Sequence, residues 1–159
     1  MPAAKILTVS DGVAAGRRDD ASGDALAEHL EGAGFEIVAR EVVSDGAARV
    51  SAGLQRLCNA FAGLVITTGG TGFGPRDETP EGTRTVLDRD APGLAEAMRR
   101  TSDTGGRSFG MLSRGVCGTI GSSLVCNLPG SREGAVECLE AVLPAVPHAL
   151  DLLSGGRPH

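Results

Sequence analysis

A chain of 159 residues, 41% of them hydrophobic and 22% charged, has room for one domain with a real core and too little for two. Its net charge of −5 and its lack of Trp and Tyr exclude a basic, aromatic-lined face for nucleic acid. A small anion held by backbone amides and one or two arginines stays open.

Lys5 to Val9 is short and apolar and predicts a first strand, ending in the polar loop Ser10-Asp11-Gly12. Asp19-Asp20-Ala21-Ser22-Gly23 carries an N-cap signal. Leu26, Leu30 and Ala33 then fall on one face of the helix it opens, which Gly34 ends. Phe35 to Val43 reads as a second strand running into Ser44-Asp45-Gly46, and Val50, Leu54, Leu57 and Phe61 repeat at helical spacing after it. Leu64-Val65-Ile66-Thr67-Thr68 is apolar and β-branched enough for a strand buried on both faces. Strands alternating with helices give an α/β fold with a parallel sheet and right-handed crossovers.

The glycine-rich stretch Gly69-Gly70-Thr71-Gly72-Phe73-Gly74-Pro75-Arg76-Asp77 follows, and then a short helix with Thr79 as N-cap and Pro80 at its first position. Asp90 to Arg100 predicts a further helix. Leu112 to Cys117 and Ser123 to Asn127 predict a hairpin that turns at Gly118 to Gly121. Pro129-Gly130-Ser131 caps a last helical region carrying Val136, Leu139 and Leu143. Neither repeat nor linker interrupts residues 1–159, which read as one domain. No apolar run reaches the ~18 residues of a membrane-spanning helix, and the N-terminal run lacks the pattern of a signal peptide, so a cytoplasmic protein is expected. Cys58, Cys117, Cys126 and Cys138 lack metal-ligand spacing and read as packed, reduced thiols.

In an open parallel sheet, ligands bind beyond the carboxyl ends of the strands, where loops and helix N-termini gather. Ser10-Asp11, Ser44-Asp45, Gly69 to Asp77 and Asn127 to Ser131 all fall there, which predicts one pocket edge. Glycines at 69, 70 and 72 let backbone amides approach a phosphate. The stretch is neither a Walker loop nor GxGxxG, and a tight strand-to-helix turn explains the same glycines. Asp45 and Asp77 each sit where a helix cap would. As a pair flanking the glycine loop they are better explained by a hard divalent cation shared beside a triphosphate. Ser131 presents the last long helix's N-terminus. His29, His148 and His159 have no nucleophile partner, which disfavours a Ser-His-Asp hydrolase.

Thr67-Thr68-Gly69-Gly70-Thr71-Gly72, Arg76-Asp77 and Thr79-Pro80-Glu81 resemble the signature of the molybdopterin-binding domain family. Thr8-Val9-Ser10-Asp11 with Asp20 and Ser22-Gly23, Met111-Leu112-Ser113-Arg114-Gly115, Asn127-Leu128-Pro129-Gly130-Ser131 and Pro147-His148-Ala149-Leu150 resemble its other motifs, in order along nearly the whole chain. At this length the chain is similar to the single-domain Mog/MoaB members. The resemblance implies a three-layer α/β/α domain, often a homotrimer, that transfers AMP from Mg-ATP to molybdopterin and releases pyrophosphate, with a molybdenum-insertion enzyme as a downstream partner. It further implies that Asp45 and Asp77 handle Mg²⁺ and phosphate, and that Ser102 is functional. Gly69, Gly70, Thr71 and Gly72 with Pro129, Gly130 and Ser131 are expected on the nucleotide, and Ser10, Asp20, Ser22, Ser113 and Asn127 on the pterin or its phosphate. One stretch departs from the pattern: Asp103-Thr104-Gly105-Gly106-Arg107-Ser108-Phe109-Gly110 stands where relatives carry Lys-Thr-Pro. A pterin-binding carrier without turnover and a nucleotide-binding domain with another substrate are the rival readings.

Overall fold

β1 (Ala3–Val9), β2 (Glu36–Val43), β3 (Gly63–Thr68) and β6 (Ser123–Leu128) are parallel, and they stand in the order β2-β1-β3-β6. The hairpin partner β5 (Cys117–Ile120) runs antiparallel to β6, and β4 (Arg89–Asp90) pairs antiparallel to β5 at the sheet's far edge. The structure, a computed structural model, describes residues 1–102 and 110–158, without the side chain of Ser102.

Strand side chains alternate between faces, so each central strand feeds two cores. Ile6, Leu64, Ile66, Leu124 and Leu128 point to one face and pack under α2 (Ala21–Gly32), α5 (Pro92–Ser102), α6 (Arg132–Val142) and α7 (Val146–Leu153). Leu7, Val9, Val65 and Val125 point to the other and meet Val50, Leu54 and Leu57 of α3 (Ala47–Cys58). The result is a three-layer α/β/α architecture on a mostly parallel sheet, as expected. The four cysteines are free thiols and all are buried.

Several boundaries differ from the sequence expectation, each for a local reason. Ser10-Asp11-Gly12 is not a plain loop: Ser10 accepts from the Val13 N–H (3.3 Å) and caps the one-turn helix α1 (Asp11–Ala14). Phe61 lies beyond α3, past Ala60 with its positive φ of 50°, and its ring packs under the Lys5 ammonium at 4.0 Å. In α4 (Thr79–Arg84) the N-cap is Glu78 rather than Thr79. The Thr79 hydroxyl instead donates to the Gly69 carbonyl at 2.9 Å, tying the helix to the glycine turn.

Asp90 belongs to β4, not to a helix. Ala91 precedes a proline, which disfavours helical backbone there, and its N–H continues the ladder to the Cys117 carbonyl at 2.8 Å. Leu112 ends a single 3₁₀ turn, Gly110–Leu112, so the hairpin is shorter than expected. It turns at Gly121-Ser122, where Gly121 has φ +56°, as a two-residue turn with glycine leading allows.

Candidate active site

The carboxyl ends of β1, β3 and β6 converge because their register leaves Val9, Gly69 and Pro129 at one edge. They are packed so closely that side chains are excluded. A Cβ on Gly69 would lie 2.2 Å from the Val9 carbonyl oxygen, and its φ of +103° already favours glycine. Gly70, with φ +70°, abuts the Thr79 hydroxyl and lies next to an Asp45 carboxylate oxygen.

A cleft of about 400 Å³ opens on this edge, lined by Ser10, Asp20, Ser22, Asp45, Gly69, Gly70, Asp77, Gly130 and Ser131 among the expected residues. Asp45 and Asp77 therefore face the same space. Burial raises the Asp45 pKa first, and the neighbouring Asp11 and Asp77 carboxylates add to it, against the opposing pull of the Asp11 N–H and Arg76. A reciprocal pair of bonds locks that loop: Asp11 N–H donates to Asp45 Oδ2 at 3.0 Å, and Asp45 N–H to Asp11 Oδ1 at 3.1 Å. Arg76 closes the clasp on both Asp11 carboxylate oxygens and on the Asp45 carbonyl (3.2 Å), and its guanidinium holds the Asp11 carboxyl below its usual range. Asp77 Oδ2 accepts from the Gly74 N–H at 2.9 Å.

Asp20 and Ser22 line the cleft but are engaged within the protein. Asp20 accepts from the Thr8 hydroxyl (3.0 Å), the Gly23 N–H (3.1 Å) and Arg40 (3.0 Å), which caps α2. Ser22 accepts from the Thr68 hydroxyl at 3.0 Å.

A second cavity of about 350 Å³ adjoins the first, between α5 and α6. Ser113, Asn127, Pro129 and Ser131 line it, with Arg99, Met98 and Cys138, so the expected binding residues divide between two lobes that share Ser131. Ser131 caps α6 by accepting from the Gly134 N–H (3.2 Å), which sets that helix's N-terminus at the junction. Thr71 and Gly72 line neither lobe. Their carbonyls instead receive the backbone N–H (2.8 Å) and Nε (2.9 Å) of Arg114. Ser102 ends α5 with its side chain outside the described residues, as are residues 103–109 of the divergent stretch.

Asn127 has its amide turned inward. Nδ2 donates to the Thr67 and Thr83 hydroxyls (3.0 Å each), and Oδ1 accepts from the Val116 N–H at 3.2 Å. No buried side-chain nitrogen or oxygen among the described residues lacks a partner, and this network is one reason. Asn127→Leu, similar in shape but without polar atoms, is expected to cost about 2–4 kcal/mol by orphaning the Val116 N–H and the Thr67 hydroxyl, while the Thr83 hydroxyl keeps its bond to the Thr79 carbonyl (2.8 Å). A thermal melt should show a fall of roughly 5–15 °C. A melting temperature matching the parent's would show that the network contributes nothing.

The residues that motif reading passed over are the cations. Arg18 lines the first cleft, Arg76 clasps the Asp45 loop, and Arg114 ties the glycine loop. Arg76 and Arg114 stand inside recognisable motifs, which was the available signal; Arg18 stands in none.

Two oxygen-donor carboxylates in one cleft suit a hard cation that takes few protein ligands and completes its shell from phosphate and water. Among the described residues no group of three or more His, Cys, Asp or Glu side chains could hold a metal, so the donor set fits Mg²⁺ arriving with a polyphosphate rather than a closed structural site.

These features define an α/β protein with a polar cleft at the carboxyl edge of a mostly parallel sheet. Residues 5–148 match the family model described as "Probable molybdopterin binding domain", and the chain belongs to that family. It is 39% identical over 157 residues to the molybdopterin adenylyltransferase of Helicobacter pylori, covering 94% of this chain and 86% of that one. It is 36% identical over 154 residues to a molybdenum cofactor biosynthesis bifunctional protein of Chlorobaculum tepidum, of which it spans 49%. The crystal structure of the molybdopterin biosynthesis enzyme MoaB of Thermus thermophilus superposes with a TM-score of 0.88 at 46% identity, covering 98% of each chain.

Proposed function

We propose that this chain transfers AMP from Mg-ATP to molybdopterin. It is an enzyme of the nucleotidyltransferase class, in keeping with relatives named molybdopterin adenylyltransferase at 39% identity. The observation that carries the particular reaction is the meeting of Asp45 and Asp77 in one cleft floored by Gly69 and Gly70.

An oxygen of the molybdopterin phosphate attacks the α-phosphorus of ATP. The new P–O bond forms as the bond from that phosphorus to the β-phosphate oxygen breaks, and pyrophosphate leaves. Transfers of this kind need alignment and charge neutralisation more than covalent help. The glycine turn leaves the strand ends bare of side chains where phosphate would lie, and the α6 N-terminus would bring its dipole to it. Asp45 and Asp77 would hold Mg²⁺, which neutralises the triphosphate when bound. The Asp11–Arg76 clasp keeps the Asp45 loop in place, and the lobe between α5 and α6 gives the larger organic group room.

The proposal extends to a homotrimer in solution and to release of the adenylylated product to a molybdenum-inserting enzyme. β2, the sheet's edge strand, leaves Val38 (45%) and Val42 (42%) exposed, which supports assembly; a monomer mass from light scattering would remove that part. The decisive assay incubates the protein with molybdopterin and Mg-ATP. Adenylylated molybdopterin and pyrophosphate in equal amounts are expected. Tight molybdopterin binding without either product would make it a carrier instead.

A further inference from the structure

The two acids assigned to Mg²⁺ do not come from neighbouring strands. Asp45 follows β2 and Asp77 lies in the loop after β3, while β1 stands between those strands in the sheet. Their separation is therefore set across the end of β1, and Asp11, the first residue of α1, is what stands there. It bonds to both flanking loops. Toward β2, its N–H donates to Asp45 Oδ2 (3.0 Å) and its Oδ1 accepts from the Asp45 N–H (3.1 Å). Toward β3, its two carboxylate oxygens accept from Nε and Nη2 of Arg76, the residue before Asp77. Arg76 Nη2 closes the triangle on the Asp45 carbonyl at 3.2 Å. Arg49 of α3 reaches that carbonyl too, at 3.4 Å, yet Arg76 is the one that adjoins Asp77 in the chain.

Stability alone does not account for this arrangement. With the Arg76 side chain 59% exposed and that of Asp11 35%, the ion pair contributes little to folding. The Asp11 carboxylate also stands against Asp45, whose charged form it disfavours. A third acid beside the other two is explained if the cation it holds fixes their spacing. A second link joins the same loops beyond the acids, from the Ala47 N–H to Glu78 at 3.1 Å, and it offers a natural comparison.

We propose that Asp11 and Arg76 are positioning residues whose ion pair sets the separation of Asp45 and Asp77, and with it the affinity of the cleft for a divalent cation carried by a polyphosphate. The inference rests on the Mg²⁺ role given to those two acids above. A pair that bridges two loops from the strand between them can do this without touching the cation.

The test measures by calorimetry the binding of α,β-methylene-ATP, which cannot transfer AMP, with Mg²⁺ and again with EDTA. The ratio of the two affinities reports the metal alone, and melting temperature and kcat are read beside it. Asp11→Asn can keep an acceptor for the Asp45 N–H but loses the paired oxygens that hold Arg76. It should lower the Mg²⁺-dependent gain in affinity and kcat about tenfold each, with a melting temperature close to the parent's. Arg76→Gln should do the same, and the double variant should be no worse than either, since both remove one interaction. Arg76→Lys should recover only part, because an ammonium lacks the fork that takes both oxygens. Glu78→Ala should leave the metal-dependent gain near the parent's. A lowered melting temperature with the gain unchanged would make the pair a brace of the fold and overturn the inference. Losses that multiply in the double variant, or an equal loss in Glu78→Ala, overturn it too. A parent whose affinity for the analogue ignores Mg²⁺ overturns the metal reading of Asp45 and Asp77, and this inference with it.

Discussion

Asp45→Asn is expected to melt at a higher temperature than the parent and to transfer AMP about a thousandfold more slowly. The amide oxygen of Asn can still accept from the Asp11 N–H, so the loop lock survives. What disappears is a charge that the ligand-free fold disfavours through burial and through the Asp11 and Asp77 carboxylates. The sign of the pH dependence follows. A carboxyl whose folded pKa is raised contributes most below its unfolded pKa, about 3.9, and that contribution is lost as pH rises through the folded value. The advantage of Asn is therefore largest near neutrality and shrinks as the parent's Asp45 takes up its proton. Paired melts from about pH 7 down to about pH 4, without divalent cation, would measure it. A gap that stays constant with pH would remove Asp45's charge as the cause, and undiminished turnover would remove Asp45 from the reaction. Asp77→Asn should lose activity to a similar degree. A site that is less stable for being functional is the expected trade.

The sequence made the left half of the sheet legible because β1, β3 and their helices obey simple periods. Leu64 to Thr68 is a run buried on both faces, and Val50, Leu54 and Leu57 make a stripe for the core. The cleft floor was legible too, since closely packed strand ends demand glycine, and Gly69 and Gly70 stand there. β4 was not, because a two-residue strand is fixed by pairing with β5 almost thirty residues away rather than by its own composition. Asn127 shows a different gap. Motif position pointed to a ligand, and Asn127 does line the second cavity, but strand alternation also turns its amide toward Thr67 and Thr83, a structural role the motif does not announce. The cations were least legible, because their partners are carbonyls and carboxylates that no local pattern brings together.

Arg114→Met is expected to lower kcat about a hundredfold while the KM of either reactant changes far less. One guanidinium spans the segment that carries Asp77: Nε donates to the Gly72 carbonyl (2.9 Å) and Nη2 to the Asp77 carbonyl (2.8 Å). Nη1 donates to Glu81 at 2.7 Å, which holds the Glu81 carboxyl below its usual range. Without these bonds a stretch containing Gly72 and Gly74 is fastened near Asp77 by the Gly74 N–H to Asp77 Oδ2 bond, and the carboxylate can drift by the fraction of an ångström that alignment cannot tolerate. Met keeps the stem's packing, so the stability loss should be modest. The half-exposed pair with Glu81 is worth about 0–1 kcal/mol and the two carbonyl bonds about 1–2 kcal/mol together. Glu81→Gln separates the roles, for it removes the ion pair and leaves both carbonyl bonds; its kcat should stay near the parent's. Arg114→Lys should recover little, because an ammonium cannot span both carbonyls as the planar fork does. If Arg114→Met keeps its turnover while losing stability, the residue only braces the fold, and the placement of Asp77 is secured by the loop itself.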